Sequence, residues 1–88
     1  MPASSELSIQ LPTGVGLHAR PAGVLVRLAS GFQSAIQLVV GDRRADAKSI
    51  LDVLALGADG GTVVRVRADG PDAEHAVTAL AGCLRSLE

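Results

Sequence analysis

The chain has 88 residues, 48% of them hydrophobic, and a formal net charge of −1 at neutral pH. That length suits one domain and leaves little room for an enclosed substrate pocket. The charge supplies no basic surface of the kind that nucleic acid or an anionic membrane requires, so neither is expected as a partner.

Phe32 is the one aromatic residue, so the core must be aliphatic. Cys83 stands alone, which rules out an internal disulfide and points to a reducing compartment. No apolar run approaches membrane-spanning length, and no basic-plus-apolar leader is present. A cytoplasmic monomer, with residues 1–88 forming a single domain, is the expectation.

The first residues, Met1 to Ser5, are small and polar and read as a frayed start. Leu7, Ile9 and Leu11 alternate with Ser8 and Gln10, the pattern of a half-buried strand. Pro12-Thr13-Gly14-Val15-Gly16 is turn chemistry, its glycines read as turn residues. The run Val24, Leu25, Leu28, Ala29 has helical spacing and predicts a helix over about 19–29, stopped by Gly31. Phe32, Ser34, Ile36, Leu38 and Val40 then share one face of a second strand. Gly41-Asp42 signals a hairpin into a short third strand at Arg43 to Ala45.

Ser49-Ile50-Leu51-Asp52 fits a capping box, with Ser49 as N-cap of a short helix that ends at Gly57. Asp59-Gly60-Gly61 is a turn. Thr62 to Arg67 is a fourth strand, with Val64 and Val66 on one face. Gly70-Pro71 opens a last helix, with Asp72 and Glu74 in its first turn, where acids suit the dipole. Its apolar stripe is Ala73, Ala76, Val77, Leu80, Leu84 and Leu87. The order strand–helix–strand–strand–helix–strand–helix predicts an α+β, two-layer sandwich of sheet and helices. His75 reads as solvated and Cys83 as a small core or boundary residue rather than a nucleophile. No His/Cys/Asp/Glu grouping has metal-ligand spacing, so neither metal nor cofactor is expected.

The chemistry concentrates in Gly16-Leu17-His18-Ala19-Arg20-Pro21-Ala22. His18 stands at the mouth of the first helix, where backbone N–H groups lack intrahelical partners and the dipole is positive. Anions, phosphate above all, bind at such ends. Pro21 falls in the first turn, where its missing N–H costs nothing. A phosphoryl group on the ring would face the N–H groups of Ala19 and Arg20. The Arg20 guanidinium could fork onto its oxygens.

This segment resembles the active-site signature of the HPr family, the histidine-containing phosphocarriers of the bacterial phosphoenolpyruvate-dependent sugar phosphotransferase system. A second block, Ala47-Lys48-Ser49-Ile50-Leu51 through Leu56-Gly57, is similar to that family's second signature. The resemblance extends from about Glu6 to the C-terminus. It implies an open-faced sandwich of antiparallel strands with the helices on one face. It implies that His18 accepts a phosphoryl group on Nδ1 from Enzyme I and donates it to IIA proteins or domains, as a substrate and not as an enzyme.

By the same resemblance, Ser49 corresponds to a serine that many Gram-positive members present to HPr kinase. Asp52, one turn on, would repel a phosphate there, which favours the plain helix cap. Ile50, Leu51 and Leu54, with Arg27 at the rim, correspond to a partner-docking patch, and Leu51 is expected to be its exposed centre. The terminal residue Glu88 is implied to approach Arg20. The loop before His18 is slightly longer than in most members, and Val15 replaces a polar residue. Two readings stand beside the sugar carrier: a carrier of a nitrogen-related regulatory branch, and a docking module that never carries phosphate.

Overall fold

A computed structural model of the chain describes residues 3–87. Four strands and three helices alternate: β1 (Ser4–Gln10), α1 (Ala19–Ser30), β2 (Ala35–Val40), β3 (Arg43–Asp46), α2 (Ile50–Leu56), β4 (Val63–Asp69) and α3 (Ala73–Arg85). The strands form one antiparallel sheet in the order β1-β4-β2-β3. The predicted order of elements and the α+β sandwich are both observed.

The sheet has one covered face and one open face. Val64, Val66 and Ala68 of β4, Ile36 and Leu38 of β2, and Ile9 of β1 are buried together. Register places them on a common side, with Leu38 opposite Val66 and Ile9 opposite Val64. All three helices lie over that side. The helix α3 supplies Val77, Leu80 and Leu84, α1 supplies Leu25, and α2 supplies Val53 and Leu56. The core is aliphatic, and Phe32 only packs at its margin. The opposite face carries Glu6, Ser8, Gln37, Arg65 and Arg67 into solvent. There Arg65 meets Glu6 at 3.9 Å and Arg67 meets Asp69 at 3.4 Å.

Several boundaries differ from the sequence pattern, each for a reason in the backbone. Strand β1 begins at Ser4, not Leu7, because Ser4 and Ser5 pair with Asp69 and Ala68 whatever their side chains. The frayed start expected over Met1 to Ser5 does not hold for Ser4 and Ser5, and Met1 and Pro2 lie outside the described residues. Leu11 falls just past the strand, yet it is buried and its N–H donates to the Thr62 carbonyl at 2.9 Å. Strand β2 starts three residues after Phe32, since the intervening N–H groups are engaged elsewhere. Phe32 N–H bonds the Ala29 carbonyl at 3.1 Å, while those of Gln33 and Ser34 each reach the Asp72 carboxylate at 2.9 Å.

Asp72 therefore does more than sit near a helix dipole. It is the N-cap residue of α3, but its carboxylate turns away to the start of β2. The Ser34 hydroxyl donates to Asp72 Oδ1 at 2.5 Å and accepts from the Asp72 N–H at 3.2 Å. Ser34, predicted as one residue of a strand face, is a buried polar side chain with its hydrogen bonds satisfied.

Candidate functional site

His18 is the N-cap of α1, with extended backbone angles (φ −97°, ψ −167°), and its carbonyl accepts the Ala22 N–H at 2.9 Å. Its imidazole makes no cap hydrogen bond and lies exposed, as do Ala19 and Arg20. The first turn of α1 holds no acidic residue, so nothing within it offsets the positive end of the helix. Pro21 sits in that turn, as its fixed φ predicts. The exposed ring, the first N–H groups of α1 and the exposed Arg20 of its first turn thus belong to one helix mouth. This arrangement can receive a dianionic group without burying it.

The loop that carries His18 rests on the segment between α2 and β4. Leu17 N–H donates to the Ala58 carbonyl at 2.8 Å, and both Leu17 and Ala58 are buried. A Cβ on Gly16 would stand 2.9 Å from that carbonyl, so Gly16 is there for close approach and not for a turn. Gly14, at φ +83°, is the turn glycine.

Arg20 makes no ion pair among the described residues. The implied approach of Glu88 to Arg20 lies outside the described residues. Beside Arg20 a shallow groove of about 280 Å³ runs between the start of α1 and the end of α3, lined by Arg20, Pro21, Val24, Cys83, Ser86 and Leu87. Val24, part of the apolar run that predicted α1, is 44% exposed in this groove, while Ala22, Leu25 and Ala29 are the buried residues of the helix. Cys83 is a boundary residue as expected, and burial pushes its thiol pKa up.

The short helix α2 divides as its length requires. Val53 and Leu56 are buried, while Ile50 and Leu54 are 38% and 39% exposed and Leu51 is 75% exposed. Arg27 lies exposed in the last turn of the neighbouring helix α1. It is nine residues from His18, roughly 13 Å along the axis at 1.5 Å per residue. At the C-terminal end of α2, Gly57 (φ +64°) leads straight into Ala58 and so to the His18 loop. Ser49 is at the other end.

Ser49 caps α2 through its Oγ, which accepts the Asp52 N–H at 3.3 Å. The reciprocal half of the predicted capping box is absent. Ser49 N–H bonds the Asp46 carbonyl at 3.0 Å, and the Asp52 carboxylate accepts instead from Asp46 N–H at 3.1 Å. In the sequence Lys48 has no role of its own beyond the second signature block; its Nζ donates to the Phe32 carbonyl at 2.7 Å and ties the start of α2 to the end of α1. His75 is exposed, and no group of His, Cys, Asp or Glu among the described residues could hold a metal ion.

An open-faced sandwich with an exposed histidine at a helix mouth is the architecture of a small phosphocarrier. The family model described as "PTS HPr component phosphorylation site" matches residues 4–86, and the chain belongs to this HPr family of the phosphotransferase system. It is 44% identical over 76 residues to the phosphocarrier protein HPr of Mycoplasma capricolum subsp. capricolum, covering 86% of this chain and 85% of that one. Among solved structures it is similar to HPr from Bacillus anthracis str. Ames, with a TM-score of 0.89 and 31% identity over 94% of this chain and 99% of that one. An HPr dimer from Thermoanaerobacter tengcongensis matches with a TM-score of 0.70 and 40% identity, covering 89% and 90%.

Proposed function

We propose that this phosphocarrier takes its phosphoryl group from the phosphohistidine of Enzyme I onto His18 and passes it to sugar-specific IIA proteins or domains. In each transfer one N–P bond breaks at the donor histidine as another forms at the acceptor. Following the family resemblance, the accepting atom on His18 is Nδ1. The observation that carries this reading is the exposed imidazole at an acid-free helix N-terminus, with Arg20 two residues on. The helix N–H groups and the guanidinium stabilise the charge on the transferred group, and positioning supplies the rest, as in phosphoryl transfer generally.

The chain acts as a substrate of phosphotransferases and not as an enzyme, working as a cytoplasmic monomer. Partners dock on the apolar centre of Ile50, Leu51 and Leu54 with Arg27 at its rim. That patch lies on the helix pair whose ends support His18, so a partner delivering phosphate covers both. We assign Ser49 to capping α2. Its hydroxyl is already an acceptor, and the Asp52 carboxylate one turn on opposes a phosphate placed there by HPr kinase.

Incubation with Enzyme I and phosphoenolpyruvate should add one acid-labile, base-stable phosphate. His18→Ala should take up none. Label retained in that folded variant would overturn the assignment.

A further inference from the structure

The imidazole of His18 has no cap hydrogen bond to aim it, so its direction depends on the backbone that delivers it. That backbone is fixed from outside its own loop. Leu17, the residue before His18, is held by its N–H on the Ala58 carbonyl at 2.8 Å and by its buried side chain. One residue earlier, Gly16 lies so close that a Cβ would meet Ala58 O at 2.9 Å and Asp59 Cα at 3.3 Å. At the far end of the loop the contact repeats with the partners reversed. A Cβ on Gly60 would stand 2.5 Å from Gly14 N, 2.6 Å from Val15 N and 2.9 Å from Pro12 O.

The supporting segment is itself pinned. Thr62 N–H bonds the Asp59 carbonyl at 3.1 Å, and Gly61 N–H bonds the Leu11 carbonyl at 3.0 Å. These are backbone contacts, which cannot swing aside as a flexible side chain can. The same segment leaves α2 directly at Gly57, below the exposed Leu51 and Leu54.

The geometry points to Ala58 and Gly60 as positioning residues for His18, an inference that rests on the proposed phosphoryl transfer. Neither touches the reacting group. They set where the N-cap of α1 begins and hence where the ring stands when a donor phosphohistidine approaches. A methyl group at position 60 would push the loop away by a fraction of an ångström or more. Misplacement of that order lowers transfer rates steeply, while the docking patch keeps its shape.

The test is steady-state phosphorylation of the full chain by Enzyme I and phosphoenolpyruvate. Gly60→Ala should lower kcat by up to about a hundredfold with KM unchanged, since a 1 Å error in placement can cost that much. Gly82→Ala, on α3 with open space around it, should leave both unchanged. A folded Gly60→Ala chain with normal kcat would overturn the inference, and so would a change confined to KM. Amide exchange of Leu17 in the unaltered chain gives a second measurement that needs no variant to fold. Protection like that of the sheet supports the clamp; exchange as fast as that of Thr13 overturns it. Failure of the unaltered chain to accept phosphate would strike the functional reading instead, and the Leu17 amide would still report on the loop.

Discussion

The Asp72 carboxylate gathers hydrogen bonds from the Ser34 hydroxyl and from the N–H groups of Gln33 and Ser34. Bonds that favour the ionised form lower its pKa from 3.8 to about 2, the Ser34 side chain contributing most. A depressed carboxylate contributes stability that is present above its unfolded value and is lost as pH falls through the folded one. Asp72→Asn should therefore melt below the unaltered chain near neutrality. The gap should close as pH drops from 3.8 to about 2. Thermal melts across that range check this; a gap that does not change with pH would show that the carboxylate's charge is not what matters. At this scale the sequence was half legible. Composition and the dipole rule drew attention to Asp72. Its true partners lie 38 and 39 residues away, beyond the reach of any local pattern.

At the scale of elements, helix ends were read well and strand ends were not. Ser49 and Gly57 carry their own instructions, a hydroxyl acceptor and a left-handed conformation, and both stand where the sequence put them. A strand stops where its partner stops, and the partner is not local. Hence β4 continues past Arg67 to Asp69, paired on both sides. The helix α2 also sets up a separable test of docking. Leu51→Glu places a charge on a side chain that is 75% exposed, so stability should change by no more than about 0.5 kcal/mol. The KM for this chain as substrate of Enzyme I should rise, with the melting temperature unchanged. Normal kinetics in the stable variant would place docking elsewhere.

The whole molecule is one aliphatic layer held between a sheet and helices, and its cohesion comes from branched side chains without aromatic anchors. Leu80 of α3 lies fully buried in that layer. Leu80→Ala should cost about 2–5 kcal/mol, from lost transfer energy and the cavity left behind. A urea titration would show it as a lower midpoint at similar slope; a loss below about 1 kcal/mol would mean that the layer collapses around the gap. The placement of His18 and Arg20 at a helix mouth and the exposure of Leu51 were legible because each sits in a short contiguous motif. Ala58, Gly60 and Lys48 were not, since their roles exist only once distant loops meet. The open mouth of α1 also has a consequence in time. Among the described residues nothing buries His18, so a phosphoryl group carried there, as proposed, would stand in bulk water. Water competes with every acceptor for it, and only the moments spent under a partner are dry. A carrier loaded in that way would be a perishable intermediate. Its useful range in the cell is how far it diffuses before hydrolysis discharges it.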